Sequence, residues 1–451
     1  MAKKHEMDMT TGNIFGKMIV FTIPIVLSGI LQLLYNAADI VVVGRFAGKE
    51  ALAAVGATGP LVNLLLNLFM GFATGSNVVL ATAYGQGNKK KISDTVHTSA
   101  LLSIICGIIL GIMGLFLSKP MLTIMNTPAD TIDLSTVYMK IIFMGMPALL
   151  VYNFGAAMLR AIGDTKRPLY ILIYTGLVNV ILNLILVIVF KMSVAGVAIA
   201  TIVSQYLSAF FVMMCFVKSK ESYQLIFSKL KINKSVLMKI LAFGIPGGIQ
   251  GTVFSLSNSI VQSAINGFGS VAVAGYSIAN NIEGFIYTAE NSVSQTALSF
   301  TGQNLGAGKP DRIKKVFIYS CLITFVIGGT LSGLALIFAG ALSGIYSTVP
   351  EVIEYSISRL YYLCPAYFAC GLMDVTVGAL RGMGKSLTSM ISCILGVCGI
   401  RIVWVFTVFK MISTPFVLYM AYPVSWAGTT IILIIAYIIS FKQIKKKIEA
   451  I

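Results

Sequence analysis

Phe21-Thr22-Ile23-Pro24 and, 222 residues on, Phe243-Gly244-Ile245-Pro246 each open a long apolar segment, and the same offset lays Gly29 over Gly251 and Asn36 over Asn258. Gly85-Gln86 returns as Gly302-Gln303 at an offset of 217. Leu159-Arg160-Ala161-Ile162-Gly163 returns as Leu380-Arg381-Gly382-Met383-Gly384 at an offset of 221. Three echoes in one order make the chain a duplicated half, and both copies are rich in apolar runs. Internal repeats embedded in a membrane, with a binding site between or inside the halves, are a common construction of secondary transporters.

Composition supports the membrane setting. Of 451 residues, 57% are hydrophobic and 11% charged, against roughly 25% charged in a soluble domain, and the mean hydropathy is +0.89. Too few charges remain to cover a water-facing surface. A helix needs about 20 predominantly apolar residues to cross hydrocarbon. Twelve runs qualify: 18–45, 52–80, 94–117, 136–158, 168–190, 194–217, 236–265, 271–300, 313–341, 355–379, 386–409 and 415–441. Backbone polar groups in lipid must be satisfied within the segment, and these runs are too long and continuous for barrel strands. The sequence therefore predicts an all-α polytopic membrane protein, with twelve transmembrane helices in two six-helix repeats, an N-lobe and a C-lobe. Six is an even number, so the repeats enter from the same side and run parallel. The expected division is an N-terminal lobe at 1–217, a cytoplasmic linker at 218–239 and a C-terminal lobe at 240–451.

The formal net charge of +17 sorts by topology. Of 33 Lys and Arg, 25 fall in the N-terminal tail, the even-numbered connections and the C-terminal tail, seven fall on the other side, and Arg401 lies within a span. The positive-inside rule then puts both termini in the cytoplasm of a multi-pass protein of the cell (inner) membrane. These charges sit in short juxtamembrane loops, so nucleic acid is not an expected partner. The first run is too long for a signal-peptide core and has no small-residue cleavage site.

Other chemistries are excluded in turn. The seven Cys all fall in apolar segments, and an odd count argues for small core residues over a disulfide framework. His5 in the tail and His97 near a membrane boundary are too few for a transition-metal centre. Gly384-Lys385-Ser386 fails the phosphate-loop pattern because Ala379 stands where its first Gly is needed, and Gly306-Ala307-Gly308-Lys309 fails through Gln303 and Pro310. With no nucleotide-hydrolysing motif and no cofactor implied, uphill transport must draw on an ion gradient or a partner. Gly85-Gln86-Gly87-Asn88 and Gly302-Gln303-Asn304-Leu305-Gly306-Ala307-Gly308 are expected to be turns on the cytoplasmic side.

Several of these features form a pattern across nearly the whole chain. Ile23-Pro24 is followed by Asn36-Ala37-Ala38-Asp39 in span 1, and the Gly-Gln turns are paired. Leu159-Arg160 with Gly163-Asp164-Thr165 follows span 4, Leu380-Arg381-Gly382-Met383-Gly384 follows span 10, and Asn179 and Asn183 lie in span 5. In this order and spacing the chain resembles the bacterial multidrug and toxic compound extrusion (MATE) family. These are cation-coupled efflux antiporters, in a superfamily that also holds lipid-linked oligosaccharide flippases. The resemblance implies two lobes around a V-shaped cavity, alternating access, and exchange of inward Na⁺ or H⁺ for outward organic molecules, often cationic. It implies a transporter and not an enzyme, and a monomer is expected.

An ionisable side chain at membrane depth is costly and is a functional candidate by default. Of sixteen acidic residues, four lie within spans: Asp39, Glu283, Glu290 and Asp374. None has a Lys or Arg at helical spacing. A carboxylate in low dielectric without a cation either holds a proton or recruits a metal ion. Gln32, Asn36 and Asp39 are spaced i, i+4, i+7 on one helix face, and Asn179 and Asn183 are i, i+4 on another. In the resembling family a span-1 acid groups with a span-5 Asn pair and a span-6 hydroxyl. The matching positions are Asp39, Asn179, Asn183 and Thr201, with Asn36 beside them. They form the expected cation-coupling site, with Asp39 the candidate Na⁺ ligand. The competing account is a hydrogen-bond cluster that only packs the N-lobe.

The C-lobe departs from one branch of that family, in which a span-7 Glu and a span-10 Asp bind the cation. Span 7 here holds no acid, only Gln250, Ser255, Ser257, Asn258, Ser259 and Gln262, and Asp374 lies seven residues before Arg381. Asp374, Arg401 and Asn258 are therefore second-tier candidates. Asp374 reads equally as a helix-end acid near Arg381, and Arg401 as a structural partner of polar groups or carbonyls. Along span 8, Tyr276, Asn280, Glu283, Tyr287 and Glu290 recur at helical spacing. Aromatic faces beside carboxylates attract organic cations, so Glu283, Glu290, Tyr287 and Tyr276, with Gln32, are the expected substrate path. The expected function is a secondary active antiporter exporting organic, cationic, multidrug-type compounds in exchange for Na⁺ or H⁺. The alternative, a lipid-linked oligosaccharide flippase, calls for cations lining the cavity, whereas the in-span charges read as mainly acidic.

Overall fold

The computed structural model describes residues 6–125, 127–128 and 131–450; Lys3, Lys4 and His5 of the basic tail lie outside them. Among the described residues there is no strand. The spans are α1 (Ile14–Phe46), α2 (Lys49–Gly85), α3 (Lys89–Ile124), α4 (Ile132–Met144 and Met146–Ala161), α5 (Lys166–Val189) and α6 (Ser193–Val217), then α7 (Lys234–Asn266), α8 (Ser270–Gly306), α9 (Pro310–Ile337), α10 (Pro350–Gly382), α11 (Ser386–Met411) and α12 (Pro415–Glu449). Ten of them are long and apolar enough to cross a bilayer on their own, and the two parts of α4 qualify together across a 46° bend. The bend falls at Gly145, beside Pro147, whose ring nitrogen has no hydrogen to return to the preceding turn. The twelfth, α8, is 37 residues long but punctuated by Asn280, Asn281, Glu283, Glu290, Asn291, Gln303 and Asn304.

Lipid as solvent explains which way the side chains turn. Phe116, Ile124 and Ile337 are 79%, 80% and 75% exposed, which water would penalise and hydrocarbon does not. Small polar residues turn inward and bond the preceding turn of their own helix, as Thr95 does to the Lys91 carbonyl at 2.7 Å and Thr376 to that of Leu372 at 2.7 Å.

The chain packs as two compact units. One is Ile23–Gly248 with the N-terminal segment up to Asp8; the other is Met9–Thr22 with Ile249–Ile451. Both exchanges fall beside the repeated prolines, Pro24 in α1 and Pro246 in α7. In the first unit, Gly71 and Gly75 of α2 meet Gly244 and Gly248 of α7, and a Cβ added at Gly244 would stand 2.8 Å from Phe72 Cα. Only glycine permits this approach, the small-residue packing that joins helices in lipid. The linker is laid along α3: His97 Nε2 accepts from the Ile226 N–H at 3.1 Å, and Thr98 Oγ1 from the Asn233 N–H at 3.0 Å. Asn233 also donates to Asp94 at 3.0 Å and caps α7, which begins at Lys234, inside the segment expected to be linker. All seven cysteines are free thiols, five of them buried.

In the second unit, Phe21 packs edge-on to Phe300 at 5.4 Å and Thr22 bonds Thr296 at 2.8 Å. The turn expected over Gly302–Gly308 is corrected here. α8 continues to Gly306, Gly302, Gln303 and Asn304 are buried in it, and the chain turns only at Ala307 and Gly308, the latter at φ +66°. Asn304 donates to the Met9 carbonyl at 3.1 Å, Lys309 to Thr10 at 2.9 Å and Arg312 to Thr11 and Gly12 at 3.1 Å. The polar residues satisfy the N-terminal backbone instead of ending the helix. The echo in the first repeat does turn after Gly85, with Gly87 at φ +65°.

Candidate functional site

Three helices of the first unit converge on Asp39. From α5, Asn183 Nδ2 donates to Asp39 Oδ1 and also to Asn179 Oδ1 at 3.3 Å. From α6, Thr201 Oγ1 donates to Asp39 Oδ2 at 3.4 Å while bonding the Val197 carbonyl at 2.9 Å. Asn179 and Asn183 are buried, and Asn183 Oδ1 has no hydrogen-bond partner. Directly after Asn183 the helix widens into a π-turn at Ile185–Val189, a feature frequent at functional sites. The four residues grouped by resemblance thus stand together. Asn36 and Gln32 do not join them. The face of α1 turned to α5 runs through Tyr35, which donates to the Leu172 carbonyl at 3.1 Å, and Asp39 one turn on. Asn36 and Gln32 lie off that line, exposed and without a hydrogen bond to the cluster.

The second unit encloses a cavity of about 470 Å³ between α7, α8, α10, α11 and α12. Glu283 stands at its wall, but not as a free carboxylate. Arg359 of α10 grips it with Nε to Oε1 and Nη2 to Oε2, both 2.8 Å, and Tyr367 adds a hydroxyl at 3.1 Å. Sequence spacing offers no in-span acid a Lys or Arg one turn away on its own helix, and the partner of Glu283 comes from a different one. The pair is 76 residues apart on different helices, so helical spacing could not reveal it. The Arg359 guanidinium also stacks on Tyr276 at 3.9 Å, whose hydroxyl meets that of Tyr422 at 2.9 Å.

Glu290 is corrected as well. It is fully buried, away from the cavity wall, with both carboxyl oxygens unpartnered. It fills the space beside two glycines, Gly328 and Gly371, and a Cβ at Gly371 would lie 2.9 Å from its Cδ. Glu290 is therefore off the expected substrate path, whereas the half-exposed Tyr287 lies at the cavity. Asp374 lines the cavity and accepts from Asn291 at 3.4 Å, while Arg381 donates to Gln250 at 2.8 Å and not to Asp374. Arg401 donates to Asn258 Oδ1 at 2.8 Å and to Ser425 Oγ at 3.0 Å, with its guanidinium 4.3 Å from the Tyr422 ring centre.

Twelve spans in a parallel duplicate, with an acid held among amides in one half and an aromatic-walled cavity in the other, define a multi-pass membrane transporter. The chain belongs to the MatE family of multidrug and toxic compound extrusion transporters, whose model matches it twice, over residues 24–185 and 246–407. The matches begin at the two echoed prolines, the offset with which the duplication opens. The chain is 28% identical over 399 residues to the probable multidrug resistance protein YoeA of Bacillus subtilis (strain 168), covering 86% of each. It is 25% identical over 373 residues to the FAD transporter of Shewanella oneidensis, covering 81% of this chain and 82% of that one. Its fold is similar to that of an outward-facing multidrug resistance MATE family transporter of the MOP superfamily, with a TM-score of 0.91 at 20% identity over 97% of this chain and 98% of that one.

Proposed function

We propose that this chain is a secondary active antiporter that exports small organic molecules across the cell membrane in exchange for Na⁺ or H⁺ by alternating access. It acts as a monomer with both termini in the cytoplasm. The observation that carries this reading is the Asp39 cluster. With Asp39 ionised, the Asn183 amide and the Thr201 hydroxyl both donate to it, and Asn183 Oδ1 is left buried without a donor. A proton on Asp39, or a Na⁺ beside it, reverses that balance: the Asn183 amide turns over and its oxygen receives the proton or the ion. Loading thus redirects hydrogen bonds that join α1, α5 and α6, so ion occupancy favours one packing of these helices over another.

The C-lobe cavity is the proposed substrate site. The two α8 carboxylates give no support to a preference for cations, since Glu283 is neutralised and Glu290 enclosed. For a flippase of lipid-linked pyrophosphate the cavity offers one cation that no carboxylate pairs, Arg401, since Arg359 is occupied by Glu283.

Inverted vesicles loaded by Na⁺ and pH gradients imposed separately test the reading. One gradient is expected to drive accumulation of fluorescent aromatic compounds, and accumulation under neither would overturn it. Orientation has its own check. Cysteines introduced near Lys90 and Lys231 are expected to react with an impermeant reagent only from the cytoplasmic side, and one near Ser270 only from outside. A reversal at any of the three breaks the topology.

A further inference from the structure

We propose that the C-lobe cavity takes the anionic group, a carboxylate or a phosphate, of an aromatic organic molecule, and that Arg401 receives it. The inference rests on the reading of this cavity as the substrate site and names the substrate class.

Arg401 is buried, yet its hydrogen-bond partners are all neutral, Asn258 and Ser425. Tyr422 of α12, Tyr276 of α8, Cys370 of α10 and Cys398 of its own helix also lie in its field. Among the described residues no carboxylate is hydrogen-bonded or ion-paired to it. Glu283 is taken by Arg359, and Asp374 sits with Asn291 in the field of Arg381. A buried charge without a counter-ion is costly, and a site that retains one is built for an anion that comes and goes.

The duplication gives the same answer independently. The repeat opens at an offset of 222, at Pro24 and Pro246 where the two family matches begin. At an offset of 222, Asn36 corresponds to Asn258, Asn179 to Arg401 and Asp39 to Val261. One copy holds an acid among amide and hydroxyl groups. The other has lost the acid and placed a cation among amide and hydroxyl groups. If the first copy receives a cation, its sign-inverted twin receives an anion.

The walls supply the rest of the ligand. The Tyr422 ring lies under the guanidinium, Trp426 packs against Tyr422 with centroids 5.8 Å apart, and Tyr287 is 43% exposed at the cavity. A volume of about 470 Å³ accommodates a drug-sized planar molecule.

The test uses the purified full chain in lipid nanodiscs without any gradient, and a matched set of fluorescent coumarins. The members carry a carboxylate, a phosphate monoester, an uncharged amide or a quaternary ammonium. At least one anionic member is expected to bind about tenfold or more tighter than the amide, the effect of a charge-assisted bond to a buried cation. The carboxylate and phosphate arms show which anion is preferred. Arg401→Gln is expected to abolish the difference in affinity between the anions and the amide, and Arg401→Lys to keep it. If Arg401→Gln does not fold, the wild-type ranking and Arg401→Lys still decide. Ammonium binding as tight as anion binding in the wild type, or an anion preference surviving in Arg401→Gln, overturns the inference. Binding needs no gradient, so the result stands apart from the antiport reading: anion-selective binding without driven export would sink the antiporter and leave the anion site.

Discussion

Asp39→Asn is expected to reduce ion-driven export to the level of empty vesicles while leaving a folded protein that still binds substrate. The substitution keeps the size of the side chain and an oxygen that accepts from Thr201, but removes the group that can carry a proton or hold Na⁺. What is lost from stability is one charge-assisted bond made over, about 1 kcal/mol, so unfolding in detergent is expected to shift little. What is lost from function is the whole of the coupling, because no other acid lies in the α1, α5 and α6 cluster. The decisive measurement sets driven accumulation against gradient-free exchange of labelled substrate in the same vesicles. Exchange persists and driven accumulation vanishes if Asp39 couples. Driven rates within about twofold of wild type would mean that the carboxylate stabilises no step of the cycle, and the cluster would then be packing alone.

How far the sequence led to these groups depends on whether the partners share a helix or a repeat. The twelve spans and their duplication are legible because apolar runs, Ile-Pro pairs and Gly-Gln pairs survive in both copies. Asp39, Asn179, Asn183 and Thr201 assemble as the family resemblance implies. Asn36 shares a helix face with Asp39 in the abstract, but α1 is turned so that Tyr35 and Asp39 meet α5. The Gly302–Gly306 segment looks like a turn by composition, and is helix because its amides have the N-terminal backbone to bond. The Arg359–Glu283 pair had no local signal at all. Arg401 did have one. The same offset that sets Asn36 over Asn258 sets Asn179 over Arg401, and the two C-lobe residues are hydrogen-bonded. Repeat arithmetic carried through the second half reaches this contact, whereas charge-counting treats Arg401 as an isolated cation.

Breaking the Arg359–Glu283 pair is expected to have the largest effect on stability of any single change in the second unit. Both side chains are nearly inaccessible, at 1% and 4%, and joined by two 2.8 Å bonds. Arg359→Met leaves a carboxylate enclosed with only the Tyr367 hydroxyl to satisfy it, and Glu283→Gln leaves a guanidinium stacked on tyrosines without its counter-charge. Removing one partner of such a pair costs about 3–5 kcal/mol, while replacing both by neutral groups of similar volume is often close to neutral. Glu283→Gln with Arg359→Met is therefore expected to recover most of what either single variant loses, as measured by denaturant unfolding in detergent. Single variants that each lose under about 1 kcal/mol would show the pair to be well solvated, in the range of exposed ion pairs. Export by the double variant then separates the two roles open to Glu283. If stability and export return together, the pair is a pin between α8 and α10, and its charge plays no part in transport. If the double variant folds as firmly as the wild type and exports nothing, Glu283 belongs to the substrate path after all, with Arg359 holding it in place until a ligand arrives.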